Sequence, residues 1–414
     1  MHLFYNFSIR LYWLAIFVAS NFNSKAKLWI DGRRKWKENL PKIESNDELI
    51  WFHCASLGEF DQGLPVMREL KLTNSKIKIL VTFFSPSGML NYFKRDHCVD
   101  YVCYLPLDLP SNVNFFLNHF SPKKIFFVKY EFWANYISTA QNMDIPVYSI
   151  CSNFRPEQYF FKWYGSYFRR VLKSINYFFV QTEESVELLQ SIGIKNVEIV
   201  GDTRFDNVIS TKNRLVDQLN SRKINADFNK INDFIKGEKA IIIGSSWPKE
   251  EELIIPYIRS NPTIKFILAP HDIAENHVLA IKNALGKTAI RYTELVENTI
   301  ANCLILDTVG HLSKAYYFGK LALIGGGFSG KLHNILEPAA FGMPILFGPN
   351  YDRFPEAKLF IEKKIAFEIK TTKDIEITVK TIFENTDSLS QNVELVMQSM
   401  VGATLKITKS THLK

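Results

Sequence analysis

Leu49-Ile50-Trp51-Phe52-His53-Cys54 runs directly into Ala55-Ser56-Leu57-Gly58-Glu59, and a helix-length segment, Phe60–Leu72, follows. The reading is a strand ending near Cys54, a turn of small residues, and a helix opened by Glu59. Working outward, the same unit recurs. Candidate strands are Ile77–Thr82, Tyr101–Tyr104, Ile125–Val128, Val147–Ile150, Tyr177–Val180 and Val197–Val200. Helical segments such as Ser87–Arg95 and Glu183–Ile192 lie between them. Short β-rich runs alternating with helices are the rhythm of a parallel sheet with helices on both faces.

The rhythm breaks over residues 207–238, which are polar and hold no strong strand, and then restarts. Ala240–Ile243, Lys265–Ala269, Cys303–Leu306, Leu321–Ile324 and Pro344–Phe347 are the strands of the second half. A chain of 414 residues exceeds what one core usually supports. The expectation is therefore α/β, with two doubly wound Rossmann-like domains facing a cleft. Residues 1–35 form an N-terminal membrane-associated helix and basic segment, 36–206 the N-terminal domain, 207–238 a connector, and 239–414 the C-terminal domain with its closing helices. Ligands of such sheets bind outside the carboxyl ends of the strands, so the chemistry belongs in loops facing that cleft.

The chain is 47% hydrophobic and 22% charged, which is globular and argues against disorder. Its net charge of +8 points to an anionic partner: nucleic acid, an anionic bilayer or a phosphorylated substrate. Much of the excess lies at the N-terminus, where seven basic and two acidic side chains leave +5 in residues 1–40. That placement suits a membrane surface better than a nucleic-acid groove. Within Leu3–Val18 the clean apolar run, Leu11–Val18, is too short to span a bilayer, which takes about 20 residues. Leu3, Phe7, Leu11, Leu14 and Phe17/Val18 recur at helical spacing, as in a helix lying in the headgroup layer. A membrane anchor, a signal peptide around Arg10 and Val18-Ala19-Ser20, and a buried helix are the other readings. The five cysteines never form a Cys-x-x-Cys pair, so neither a disulfide framework nor a zinc site is indicated.

Five places can carry chemistry. Glu59, beside a strand end, can accept a proton from a hydroxyl or simply complement its helix dipole. Glu131 follows the strand Ile125–Val128 and should fall at the same sheet edge. Gly244-Ser245-Ser246 follows a strand and precedes a helix beginning near Pro248, which makes either a phosphate seat or an ordinary serine N-cap. The fourth is Gly325-Gly326-Gly327-Phe328-Ser329-Gly330-Lys331-Leu332-His333-Asn334-Ile335-Leu336-Glu337-Pro338-Ala339-Ala340-Phe341-Gly342-Met343-Pro344. Three glycines after a strand admit close approach of a ligand, Asn334 caps a helix, and Glu337, a turn inside it, can accept both hydroxyls of a ribose. Pro270-His271, at another strand end, can touch a base, although a lone His is more often structural.

In this order and spacing the segments resemble the Kdo transferases of lipopolysaccharide synthesis, inverting glycosyltransferases of GT-B architecture. The resemblance runs from Lys25-Ala26-Lys27-Leu28-Trp29 and Gly32-Arg33 to the C-terminal helices. Ala55-Ser56-Leu57-Gly58-Glu59 is similar to the family's Ser-x-Gly-Glu element, whose glutamate is regarded as the base. Glu131-Phe132-Trp133 is similar to its Glu-x-Trp element, and Gly201-Asp202-Thr203-Arg204-Phe205-Asp206 to Gly-Asn-x-Lys-Phe-Asp. His333 through Pro344 is similar to the nucleotide-binding helix. Departures are Pro270-His271-Asp272-Ile273-Ala274 where Arg-His-Pro-Glu-Arg is usual, a shorter glycine loop, and Asp202 and Arg204 for the common Asn and Lys.

The resemblance implies that CMP-Kdo binds the C-terminal domain, with Ser245, Ser246, Gly325, Gly326 and Gly327 at its phosphate and Glu337 at its ribose. Pro270, His271, His333 and Asn334 complete the donor set. A lipid A precursor, lipid IV(A), docks on the N-terminal domain, its phosphates met by Arg33, Arg155 and Arg204. Glu59 deprotonates its hydroxyl, CMP leaves, and the configuration inverts. No cofactor is expected, and no metal, because the chain lacks an Asp-x-Asp motif. The implied location is the cytoplasmic face of a Gram-negative inner membrane, with its anionic surface as partner and no nucleic acid. The rival readings are a GT-B enzyme with another nucleotide-sugar donor, a nucleic-acid-binding protein, and a catalytically silent membrane scaffold.

Overall fold

In the computed structural model, residues 1–44, 47–220, 226–238, 240–297 and 299–413 are described. Part of the expected connector, residues 221–225, lies outside them, as does Lys239 at the expected start of the C-terminal domain.

A strand at the centre of a parallel sheet is covered on both faces, so it needs apolar side chains at nearly every position. Six of the seven residues of β1 (Glu48–Cys54) are buried. Leu49 and Trp51 enter one core with Leu80, Ile125, Phe127 and Phe178. Ile50, Phe52 and Cys54 enter the opposite one with Val81, Phe126, Val128 and Ile150. β1 pairs in parallel with β2 (Ile77–Phe83) on one side and β4 (Lys124–Val128) on the other. β3 (Tyr101–Tyr104), β5 (Val147–Ser152), β6 (Tyr177–Val180) and β7 (Val197–Ile199) complete the order β3-β2-β1-β4-β5-β6-β7. The winding reverses between β1 and β4, so the loops leaving their carboxyl ends diverge and leave room for a site.

The second sheet repeats the plan with β8 (Ala240–Ser246), β9 (Lys265–Pro270), β10 (Ala289–Arg291), β11 (Cys303–Ile305), β12 (Gly319–Ile324), β13 (Ile345–Phe347) and β14 (Ala366–Glu368). Their order is β10-β11-β9-β8-β12-β13-β14, and here the winding reverses between β8 and β12. Ile241, Ile243, Phe266, Leu268, Leu321 and Leu323 build the core on one face. The twelve strands expected from sequence are all present. β10 and β14 are additions, each three residues with a charge at the end, too short and mixed to stand out. The expected helix Ser87–Arg95 is instead a short helix, Pro86–Met89, followed by a 3-10 turn, Tyr92–Lys94.

Residues 1–207 with 401–414 form one unit, and residues 208–400 the other. The closing residues 401–414, expected with the C-terminal domain, thus belong to the first unit. Ile407 and Leu413 are buried in its core beside Phe60 and Val200. Asp206 holds the start of the helix Ala403–Lys409, accepting from Gly402 N at 2.6 Å and from Thr404 N and Oγ1, both at 2.7 Å. The expected polar connector is largely helical, in Thr203–Asn220 and Ala226–Ile235.

At the N-terminus, α1 (His2–Ala19) and α2 (Ser24–Asp31) form a helical pair. Three side chains of α1 fix it to the first unit. Tyr5 donates to Asp108 at 2.6 Å, His2 meets Asn135 at 2.8 Å, and Ile9 is buried. Asp108 also accepts the amides of Asn135 and Tyr136, yet burial pushes its carboxyl up to about 6. The opposite stripe, Leu3, Phe7, Leu11, Leu14 and Val18, is exposed. Among the described residues, no helix is long and apolar enough to cross a membrane.

Three hydrogen bonds to one carboxylate make Asp206 the fastener of the C-terminal helix. Asp206→Ala should lower unfolding stability by about 2 kcal/mol, the scale of charged hydrogen bonds lost together with a helix start. It should also expose the last 14 residues, 401–414, to proteolysis. Urea unfolding and limited proteolysis check the two effects.

Candidate active site

The carboxyl ends of β1 and β4 lie side by side, and each sends a side chain to a group carried by the other. Ser56 and Glu59 form a capping box at the start of α3 (Leu57–Thr73). Glu59 Oε2 accepts from Ser56 N at 3.0 Å and from the Ser56 hydroxyl. The dipole role considered from sequence is therefore filled, but it uses only one of the two oxygens. Oε1 meets Lys129 Nζ at 3.3 Å. Lys129 directly follows β4 and has φ +67, a backbone conformation that an L side chain adopts at some cost.

Burial raises the Glu59 pKa. Lys129, the Ser56 hydroxyl and the helix-start amide outweigh that effect and hold the carboxyl below the ordinary glutamate range. Only 16% of the Glu59 side chain is exposed. The result is a shielded carboxylate that stays ionised.

Glu131 stands at the same edge, as expected, and is 35% exposed. Its Oε2 lies 3.2 Å from Nε2 of His53, a fully buried residue near the end of β1. The His53 ring also meets Thr82 Oγ1 at 2.9 Å through Nδ1, and Trp133 Nε1 at 3.1 Å through Nε2. His53 and Lys129 were not singled out in the sequence reading. The signal was there: His53 is the one polar side chain in an otherwise apolar strand interior, and Lys129 immediately follows another strand.

The three arginines expected at the acceptor separate. Arg33 is a correction: it is buried and gives its N–H groups to the carbonyls of Leu105 at 3.0 Å, Phe84 at 2.8 Å and Trp29 at 3.3 Å. Its guanidinium lies over the Trp29 ring at 3.9 Å, so it ties α2 to the sheet instead of facing a ligand. Arg204 pairs with Asp202, Nε to Oδ2 at 2.8 Å. Arg155 is exposed.

In the second unit the carboxyl ends of β8, β9 and β12 come together. Here the structure corrects the donor set. Ser246 is buried and donates to Glu251 at 2.9 Å. Gly325 N donates to Gly244 O, and Gly326 N to Glu250 Oε1 at 2.8 Å. These groups serve the protein's own hydrogen bonding. The glycines are required by backbone meeting backbone: a Cβ on Gly325 would strike the Ser245 carbonyl, and one on Gly326 the Lys331 carbonyl. Burial pushes the Glu250 carboxyl up, although amides from the loop oppose the shift.

What this edge presents outward is aromatic and cationic. His271 stacks on Trp247 with centroids 4.8 Å apart, and His333 accepts from Trp247 Nε1 at 3.0 Å. The two imidazoles are 4.7 Å apart, and Lys331 Nζ lies 5.5 Å over the indole. Burial, then the neighbouring His271, lowers the His333 pKa. Pro270 is buried at the end of β9. Ser245, with φ +53, lies near the end of β8, where the pairing with β9 shifts register. Asn334 accepts from Leu336 N and donates to Glu337 Oε1, each at 3.0 Å, at the start of a helix only five residues long, Leu336–Ala340. Trp247 and Lys331 were missed from sequence, although Trp247 directly follows the quoted Gly-Ser-Ser. Among the described residues, no cluster of His, Cys, Asp or Glu is arranged to hold a metal ion.

Two seven-stranded parallel sheets, each with its own switch point, define a GT-B-like α/β protein. A UDP-GlcNAc 2-epimerase from Neisseria meningitidis superposes with TM-score 0.60 at 16% identity, over 86% of this chain and 95% of its own. MurG from Acinetobacter baumannii superposes with TM-score 0.50 at 11% identity, over 87% and 97%. At these identities the likeness is one of fold. Sequence comparison is more specific. Residues 33–207 match the 3-deoxy-D-manno-octulosonic-acid transferase (kdotransferase) family. The 3-deoxy-D-manno-octulosonic acid transferase of Aquifex aeolicus is 29% identical over 346 residues, 82% of this chain and 86% of that protein. Along most of its length the chain is thus similar to Kdo transferases, and residues 33–207 match that family.

A carboxyl whose folded pKa is depressed adds stability above the unfolded value near 4.3 and loses it as pH falls through the folded pKa. Lys129→Ala should therefore move the Glu59 titration upward and narrow that window from below, while Lys129→Arg keeps it low. Carbon-13 NMR of the Glu59 carboxyl follows the shift directly.

Proposed function

We propose that this chain transfers Kdo from CMP-Kdo to the lipid A precursor, lipid IV(A), with inversion. The observation that carries the reading is the shielded, ionised Glu59, set at a sheet edge within the half of the chain that matches the Kdo transferase family. Glu59 takes the proton from the acceptor hydroxyl as its oxygen attacks the anomeric carbon of Kdo. The bond from that carbon to the CMP phosphate oxygen breaks, CMP leaves with the electron pair from the opposite face, and the configuration inverts. Glu131 is the second acid at this edge. Exposed Arg155 is the candidate contact to an acceptor phosphate.

The second unit holds the donor. Lys331 offers positive charge, and the imidazoles of His271 and His333 offer N–H groups, to the phosphate and the Kdo carboxylate. Trp247 gives this group an aromatic backing, and Glu337 accepts from the ribose hydroxyls. Ser245 and the Gly327 backbone remain candidates at the phosphate. The reading calls for no metal: Lys331 meets the charge on the leaving group. The relatives' family and the outward-facing groups Lys331, His271 and His333 support this donor over a UDP-sugar.

The reading places the protein at the cytoplasmic face of a Gram-negative inner membrane. Its support is the exposed stripe of α1 followed by the basic segment from Lys25 to Lys37. Such a helix lies in the headgroup layer, with the cations against anionic lipid.

Incubation with CMP-Kdo and tetraacylated lipid A precursor should add Kdo, as read by product mass, and Glu59→Ala should slow transfer by about 10²–10⁴-fold, the range for a lost general base. Full activity in EDTA is expected, and CMP should compete with donor where UMP does not. Transfer undiminished in Glu59→Ala would remove that residue from its role, and competition by UMP alone would change the donor. A Phe7→Asp, Leu14→Asp double variant should lose most binding to phosphatidylglycerol-containing vesicles in a flotation assay while its melting temperature holds.

A further inference from the structure

We propose that His53 is a positioning residue for Glu131, and that Trp51 and Thr82 hold it in the tautomer whose Nε2–H faces that carboxylate. The kinetic consequence rests on the transferase reading above; the tautomer does not.

A neutral imidazole has one proton for two nitrogens, and here each nitrogen has a neighbour within hydrogen-bond range. Nε2 faces two groups with opposite demands. Glu131 Oε2 at 3.2 Å needs a proton from it, whereas Trp133 Nε1 at 3.1 Å needs its lone pair. The choice is made on the far side of the ring. Thr82 is fully buried, and its hydroxyl oxygen receives the indole N–H of Trp51 at 2.8 Å. An indole nitrogen only donates, so the threonine is the acceptor in that bond. Its single proton is left for His53 Nδ1, 2.9 Å away. Nδ1 then accepts, and the ring proton sits on Nε2, toward Glu131.

The other tautomer turns two protons toward each other between Thr82 and Nδ1, or strands the hydroxyl proton in the core. It also sets the Nε2 lone pair against a carboxylate. Both are unfavourable where water cannot intervene. Trp133 is only half-buried, so losing the ring as acceptor costs it less. The ring is further held edge-on to Phe127.

The chain Trp51–Thr82–His53–Glu131 therefore runs across β2, β1 and the segment after β4, and ends on an oxygen at the sheet edge. Without it Glu131 would be a third-exposed side chain free to rotate. The surrounding segments bring Arg33, Tyr12 of α1 and Tyr159 within electrostatic reach of the same carboxylate, but among the described residues none of these three bonds to it. His53 supplies the directional contact.

Nitrogen-15 NMR of histidine-labelled full-length protein tests the tautomer, with the His53→Gln spectrum identifying the signal among nine histidines. A protonated Nε2 with an acceptor Nδ1 is expected, and Thr82→Val should weaken that preference. A ring proton on Nδ1 overturns the proposal, whatever reaction the protein catalyses. In the transfer assay, His53→Ala should lower kcat by about 10- to 100-fold, the scale of a misplaced site group, with KM changed by less than about threefold. His53→Gln, whose amide can still donate, should recover most of kcat. Equal losses in both variants, with melting temperatures unchanged, would overturn the positioning role. Absence of any transfer by the unmodified chain would instead refute the donor or acceptor assignment and leave the NMR result standing.

Discussion

Two ties cross between the ends of β1 and β4. Lys129, leaving β4, holds the glutamate that follows β1, and His53, within β1, meets the glutamate that follows β4. They exist because the winding of the first sheet reverses there. Everywhere else in the sheet, consecutive strands are neighbours and their loops are covered by the next helix. At the switch point alone, two adjacent loops separate, and polar groups can gather at a backbone edge without displacing core. The packing of Trp51, Phe127, Tyr136 and Phe116 beneath fixes both strands. That rigidity is what lets short polar side chains meet at hydrogen-bond distance.

The second unit solves a similar problem with different material. Its glycine-rich turn resembles a cradle for an anion, yet the carboxylate of Glu250 already receives the Gly326 amide. The protein's own anion thus holds the loop closed, and the glycines let backbone pack on backbone. A ligand must be recognised by what remains at the surface: Trp247, the two histidines around it, Lys331, and the Asn334–Glu337 pair. These side chains come from the ends of β8, β9 and β12, so the sheet again places the groups and the loops only present them.

How far the sequence discloses this depends on the range of the interactions involved. Strands buried on both faces announce themselves as apolar runs, which is why most of the fourteen were legible, and β10 and β14, the edges of the second sheet, were not. Glu59 and Glu131 were legible because a residue just past a strand end must lie at the sheet edge. Their partners were not, since a tie such as Lys129 to Glu59 spans 70 residues and depends on strand order. Arg33 misled for a related reason. A basic residue beside an apolar helix reads as a surface cation, and only the fold reveals the three carbonyls and the indole that bury it. The fate of residues 401–414 was hidden likewise, because Asp206 reaches them across almost half the chain.

Under the proposed reaction, the ties also bear on why a base should be held at a low pKa, which at first weakens it. A lone carboxylate at this edge would share its surroundings with Glu131 and, under the proposed reaction, with a donor bearing both a phosphate and a carboxylate. Each neighbouring anion favours protonation of Glu59. An unassisted glutamate would gain its proton as substrate arrived and would lose its function in the complex where it is needed. Lys129 and the Ser56 hydroxyl set the starting point low, which opposes the rise that anionic substrates would cause. The Nε2–H of His53 orients Glu131 without adding a full charge. A site meant for anions can then keep two acids at its edge, provided each has its own donor from the neighbouring strand.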